Sequence, residues 1–247
     1  ETGIVFLENP PGYEALKEDF AWEKTYESEV NKRRADEPIR YKISSFLKDF
    51  RLKVLKRNKI KEIAKKEILK IKESTSIELL DVGCADGGAL EKIISELPQT
   101  YHSKCIPNGI EISAALAKTA REKAERGKWI HNNAVDGMLE FDNDYFDIVI
   151  LSSFLEHEIE PVQLLKNTLI KLKSHGSVII KVPNFASWNR HIRKEKWCGF
   201  RHPDHVNYFT PDTLKETALR SGFSKFSMKL LDKQPLSDSM YAVLKKS

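Results

Sequence analysis

The sequence predicts an α/β fold, a mostly parallel sheet with helices on both faces. Three observations lead there. Short apolar runs recur at residues 77–82, 105–111, 145–153 and 177–184, and read as buried strands. Stretches with helical spacing separate them, at residues 89 onward, 114–126 and 161–173. The first strand also runs straight into a glycine-rich turn that opens a helix at about Ala89.

That turn, Asp81-Val82-Gly83-Cys84-Ala85-Asp86-Gly87-Gly88, is the most informative stretch. Glycines admit a ligand close to the backbone, and a strand-glycine-helix unit at the carboxyl end of a sheet builds a nucleotide site. The Gly83-x-x-x-Gly87-Gly88 spacing departs from the dinucleotide pattern G-x-G-x-x-G. Asp81 would repel a pyrophosphate and attract an ammonium group. The block resembles motif I of the class I S-adenosylmethionine-dependent methyltransferases, D-x-G-C-G-x-G, with Ala85 in place of the middle glycine. The resemblance implies a Rossmann-like fold with a seven-stranded, mostly parallel sheet. It also implies S-adenosyl-L-methionine as cofactor and S-adenosyl-L-homocysteine as product, with Asp81, Gly83, Cys84, Ala85 and Gly87 around the cofactor. Taken alone, the motif also fits a generic tight turn.

Further blocks follow in the family's order. The second strand ends at Glu111, whose carboxylate is placed to accept bonds from the ribose hydroxyls, with Ile112 beside it. Ser113 then caps an alanine-rich helix running to about Arg126. Residues 129–132 read as a third strand, and Asn133 and Ala134 stand where the family often has Asp-Ala against the adenine; Asn132, Asn133 and Asp136 also read as turn formers. Residues 145–157 resemble the family's fourth strand running into the active-site mouth. Ser152 then falls near the methionine part of the cofactor. His157 falls near the methyl group, either as a base or as a residue that shapes the pocket. A helix over 161–173, stopped by Gly176, leads to a fifth strand over 177–184.

The third strong block is Arg201-His202-Pro203-Asp204-His205-Val206-Asn207-Tyr208-Phe209-Thr210-Pro211. Thr210 and Pro211 read as the start of a helix to about Ser221, and the last strands fall near 226–230 and 241–244. The block resembles the ubiquinone-biosynthesis-like and glycan-modifying branch, in which this loop approaches the acceptor. His205 is assigned as a catalytic candidate beside His157. His202, Asp204 and Tyr208 are substrate-side candidates. The spacing matches no metal signature, and no metal is expected.

The chain has 247 residues, 40% hydrophobic and 31% charged, enough for one sizeable domain with an extension. The expected division is a helical cap over residues 1–73 and the methyltransferase domain over 74–247. In the cap, Tyr26, Arg33 and Arg34 are candidates to reach the cofactor carboxylate or an acidic acceptor. Leu16, Phe20 and Trp22 are candidates for packing; Ile43, Phe46, Leu47, Phe50 and Val54 give a helix starting at Pro38 one apolar face, and Ile60, Ile63, Ala64, Ile68 and Ile71 supply a second amphipathic run. The net charge of +5 traces to a basic segment over 48–72, read first as a solvated helix face and second as a contact for an anionic acceptor. Aromatic interleaving for nucleic acid is absent there. No apolar run approaches a membrane helix and no signal peptide is expected. The leading Glu-Thr-Gly lacks a methionine and fits a non-native remnant. Three scattered cysteines suit a reducing, cytoplasmic setting. The expected function is O-methylation of a hydroxyl on a small-molecule, sugar or glycan acceptor. The alternatives are an RNA or protein methyltransferase and a non-catalytic cofactor-binding scaffold.

Overall fold

The computed structural model describes residues 3–18, 30–31, 34–35, 37–49, 58–72 and 74–246. The expectations for Phe20, Trp22, Tyr26, Arg33, Phe50 and Val54 lie outside the described residues.

The central sheet holds β2 (Ile77–Val82), β3 (Cys105–Glu111), β4 (Trp129–His131), β5 (Phe146–Ser152), β6 (Leu172–Pro183), β8 (Lys225–Ser227) and β9 (Ser239–Lys245). Their order is β4-β3-β2-β5-β6-β9-β8. All pairs are parallel except those of β9, which runs antiparallel to both neighbours. The order reverses between β2 and β5, which opens a crevice beyond their carboxyl ends.

Strand alternation sends neighbouring residues into opposite cores. Leu80, Val149, Leu151, Val178 and Ile180 face one core, with α7 (Ala134–Leu139), α8 (Pro161–Lys171) and α10 (Pro211–Arg220). Ile77, Leu79, Ile148, Ile150 and Ile179 face the other. That second face is covered by α4 (Gly88–Ile94) and α3 (Lys59–Ile68).

The placement of α3 corrects one expectation. Asn58 caps it, accepting from the Lys61 N–H at 3.4 Å, and Ile63, Ala64 and Ile68 are buried against the sheet. The helix therefore belongs to the sheet's face rather than to a cap over its open end. Its lysines pair outward, Lys61 and Lys65 both with Glu96 at 2.6 and 3.2 Å. Such surface pairs contribute under about 1 kcal/mol each, whereas each buried isoleucine contributes about 1.5–3 kcal/mol. Apolar burial thus decides where α3 sits. The helix α2 (Pro38–Asp49) starts at the expected proline, but Ile43 and Phe46 of its expected apolar face are exposed, as is Ile39.

Gly176 is a second correction. The helix ends at Lys171, and β6 begins at once with Leu172. Gly176 lies buried within the strand, where a Cβ would stand 2.6 Å from Leu172 Cγ. It permits close packing beside the register shift between Phe146 and Ile148. Leu230, expected in a strand, falls instead in α11 (Leu230–Lys233). The expected loop over 98–104 contains a short helix, α5 (Gln99–His102). Among the described residues, no helix is long and apolar enough to cross a membrane.

A second, two-stranded sheet stands apart. Near the chain's start, β1 (Val5–Phe6) pairs antiparallel with β7 (Asn207–Tyr208). This brings α1 (Tyr13–Glu18) toward the crevice, where Tyr13 lines the cavity.

Candidate active site

A cavity of about 380 Å³ fills the crevice, within the size range of small-molecule sites. One wall is the turn after β2. Gly83 has φ +72°, and a Cβ there would meet the Phe154 ring at 2.6 Å. Ala85 also has a left-handed φ, +49°, which explains why the family's motif prefers glycine at that position.

Glu111 anchors this wall. It is buried at the end of β3 and lines the cavity. One carboxylate oxygen accepts the Ala85 N–H at 2.8 Å and the other the Ser113 N–H at 2.9 Å. These bonds hold the glycine-rich turn and the start of α6 (Ala114–Lys123) in place. A carboxylate oxygen accepts from more than one donor, so the same group can also take ribose hydroxyls.

Asp81 lies at the end of β2, paired with Gly109 and Ile150 on the flanking strands. It sits behind the cavity wall rather than in its lining. Burial, then the nearby Glu111 charge, pushes its carboxyl up to about 8. The folded protein therefore holds a proton that the unfolded chain releases. Stability contributed by that proton is lost as pH rises from the ordinary value of 3.8 toward about 8. Asp81→Asn removes the penalty. The cofactor-free variant should exceed the wild type at pH 8 by more than about 1.4 kcal/mol, one pKa unit's worth. Urea unfolding across pH 5–9 checks this, and an advantage that does not grow with pH would refute it.

Cys84 is buried, and burial with the Asp81 and Glu111 charges pushes its thiol up, so it packs as an apolar group. Gly87 is the left-handed residue before α4. Ile112 lines the cavity, and its carbonyl is held by His131 Nε2 at 3.1 Å. Asn132, Asn133 and Ala134 line the opposite side. The Asn133 amide caps α7, accepting the Asp136 N–H at 2.9 Å and donating to Asp136 Oδ2 at 2.7 Å.

The acceptor side begins at the end of β5. Ser152 and Ser153 line the cavity, and Ser153 takes φ +57° with its hydroxyl accepting from Lys181 Nζ at 2.8 Å. A left-handed non-glycine residue at a cavity wall is local strain of the kind found at functional sites. His157 also lines the cavity, with Nδ1 2.8 Å from the Asp204 carbonyl. Nδ1 must donate there, so Nε2 carries the lone pair. Burial pulls the His157 ring down to about 4; the bond to Asp204 opposes this, and the Arg201 charge adds to it.

His205 is buried behind His157, the rings edge to face with centroids 4.6 Å apart. Its Nδ1 lies 2.8 Å from the Gly199 carbonyl, so it takes the same tautomer. Asp204 lines the cavity together with Arg201, whose guanidinium donates to Asp204 Oδ2 at 2.8 Å.

Among the described candidates, Asp81, Cys84 and Gly87 lie outside the lining, and so do four assigned to catalysis or the substrate. His205 stands one layer back, and His202 is exposed. Tyr208 packs between Phe185 and Phe200, at 5.4 Å from each. Arg34 is exposed and stacks over Tyr41 at 6.0 Å. Among the lining residues that had not been assigned are Tyr13, Glu158 and Arg201. The Tyr13 hydroxyl donates to Glu158 across the mouth. That contact joins residues 145 positions apart, so no local pattern announces it. Arg201 was within sight, as a basic residue heading the His-containing loop.

The donor set fits S-adenosylmethionine. Glu111 offers a buried carboxylate for a diol, Ile110, Ile112 and Leu116 give an apolar wall, and no Cβ stands between the cavity and the backbone at Gly83. Sheet order and site together define a class I S-adenosylmethionine-dependent methyltransferase.

A profile of the family described as "Methyltransferase domain" matches residues 40–227, most of the chain, which belongs to that family. The mitochondrial ubiquinone biosynthesis O-methyltransferase of Candida albicans is 29% identical over 140 residues, covering 53% of this chain and 41% of that enzyme. The match therefore takes in less than half of that enzyme's length. Among solved structures, a SAM-dependent methyltransferase from Archaeoglobus fulgidus superposes with a TM-score of 0.52 at 19% identity, covering 82% of this chain and 99% of that one. The CurJ carbon methyltransferase gives a TM-score of 0.57 at 19% identity over 76% of this chain and 54% of its own. At these identities the likeness is one of fold.

Proposed function

We propose that the chain methylates a hydroxyl oxygen on a small-molecule, sugar or glycan acceptor. The carrying observation is His157, whose Nδ1 is engaged by the Asp204 carbonyl while the ring lines the cavity where β5 ends. Its Nε2 lone pair is thereby presented as an acceptor for a hydroxyl proton. Bound S-adenosylmethionine supplies an electrophilic methyl carbon on its sulfonium. Glu111 and the Gly83 turn hold the nucleoside part, Ser152 and Phe154 bound the methionine side, and Arg201, paired with Asp204, bounds the acceptor side. Alignment by these walls can remove a large part of the entropic barrier.

The residues after β5, Ser152-Ser153-Phe154-Leu155, differ from the N-P-P-Y-like tetrad of amine methylation. The O-methyltransferase name of the Candida albicans relative points the same way. Lys61 and Lys65 of α3 are engaged with Glu96, which supports a solvated face over a nucleic-acid contact. The three scattered cysteines, Cys84, Cys105 and Cys198, suit a reducing, cytoplasmic setting.

The test is a screen of phenols, sugars and nucleotide sugars for S-adenosylhomocysteine release, with wild type and His157→Gln. Turnover on the best hydroxyl acceptor should fall on the order of 100-fold in the variant, with cofactor affinity within a few-fold. Equal turnover in the two proteins would remove His157 from the mechanism, and methylation confined to amines or carbon acids would remove the acceptor class.

A further inference from the structure

We propose that Glu156, His157 and His205 form a divalent-metal site at the acceptor end of the cavity. One ligand atom from each residue lies within 4.8 Å of the other two. The edge of a tetrahedral site with nitrogen and oxygen ligands is roughly 3.4 Å, so a contraction on the order of 1 Å closes the set around an ion.

Three further features point to a cation. Each histidine directs Nδ1 at a backbone carbonyl, Asp204 for His157 and Gly199 for His205, both at 2.8 Å. This is the outer-shell arrangement that fixes a ligating imidazole's tautomer. Glu156 is 2% exposed, and its Oε2 has no hydrogen-bond partner among the described residues. A buried carboxylate oxygen in that state needs a proton or a cation. The three groups also come from two separate loops, after β5 and before β7, joined where the Val206 and Asn207 N–H groups donate to the Glu156 carbonyl at 2.8 and 3.0 Å. Backbone geometry, rather than long flexible side chains, sets their spacing.

Two imidazoles and one carboxylate suit zinc, cobalt(II), iron(II) or manganese(II) over calcium or magnesium. His157 lines the cavity, so the remaining coordination positions face the acceptor. Occupancy stands on this geometry alone. Its use, to bind and acidify an acceptor hydroxyl as a Lewis acid with the proton leaving to solvent, rests on the O-methylation reading above and replaces direct proton capture by His157, whose lone pair the ion occupies.

The test uses the whole chain stripped with a chelator, then titrated with cobalt(II) followed by visible absorption and with zinc(II) by calorimetry. One equivalent per chain should bind. Glu156→Gln and His205→Gln should each weaken binding by more than the ~10–100-fold that loss of an outer-shell partner costs. S-adenosylhomocysteine affinity in Glu156→Gln serves as the control for folding. No stoichiometric binding, or equal binding by the triple glutamine variant, would overturn the site. Stoichiometric binding without turnover on any hydroxyl acceptor would keep the site and discard the acceptor reading. Full turnover in chelated protein that binds no metal would keep the reading and discard the site.

Discussion

The Glu111→Gln variant should bind S-adenosylhomocysteine at least on the order of 100-fold more weakly than the wild type while remaining folded. Two losses combine. A bond from a hydroxyl to a charged acceptor is worth about 1.5–3 kcal/mol, and the ribose presents two such hydroxyls. The amide also sets an NH2 group against an N–H donor, Ala85 at 2.8 Å or Ser113 at 2.9 Å, so one wall of the cavity loses its tether. Asp81 gains in turn, since the Glu111 charge helps hold its carboxyl up. Calorimetric titration gives the affinity, and circular dichroism the control for folding. Affinity within a few-fold of wild type would mean that the cofactor lies elsewhere or is held without its ribose.

The second large effect is on stability. Trp197→Ala should lower the unfolding free energy by about 3–5 kcal/mol, the range for emptying a large aromatic site. The ring is 1% exposed and packs edge-on against Phe200 at 5.3 Å and Phe185 at 6.1 Å. Its Nε1 donates to Asp238 at 2.7 Å, and Asp238 also accepts from Ser187 at 2.9 Å and Asn189 at 2.6 Å. This cluster is the floor beneath the loop that carries Arg201 and His205. Turnover should therefore fall with stability, even though Trp197 lies outside the cavity lining. Trp197→Phe keeps most of the packing but leaves Asp238 one donor short, and should lose about 1–3 kcal/mol. Urea unfolding of both variants separates ring from bond. A loss below about 1 kcal/mol in the alanine variant would show that the loop does not depend on this floor.

The cofactor half of the site was legible because it is local. The turn needs glycine at Gly83 for a positive φ and a close neighbour, and an acid at a strand end is conspicuous at Asp81 and Glu111. The alternation of Leu79 with Leu80 and of Ile148 with Val149 announces strands buried on both faces. Asp147 was visible only as a position within the fourth-strand block, residues 145–157. Its work, accepting from the Glu78 N–H at 2.8 Å, Lys173 at 2.6 Å and His175 at 2.7 Å, appears once β2, β5 and β6 are adjacent.

The acceptor half was less legible because it is assembled from distant loops. His157 and His205 were both visible as candidates, yet nothing in their spacing says that the rings touch or that Glu156 joins them. Amphipathic spacing in α3 showed a buried face without saying which surface it meets. Gly176 carried a helix-stop signal, whereas its tertiary role is to make room for Leu172.

The carbonyl of Glu156 and the side chain of Asn207 have a consequence for modularity. That carbonyl accepts from both Val206 and Asn207, and the Asn207 amide donates to the carbonyls of Leu155 and Glu158. The Leu7 N–H donates in turn to the Val206 carbonyl at 2.8 Å. Three stretches far apart in sequence are thus laced into one piece by main-chain bonds that no single side-chain exchange can reproduce. A chimera that imports the loop after β5 without the strand at Asn207 and the segment at Leu7 inherits mismatched edges. The sheet's outer face can be exchanged with no such bookkeeping. The three segments therefore form one block, to be transplanted whole or left in place.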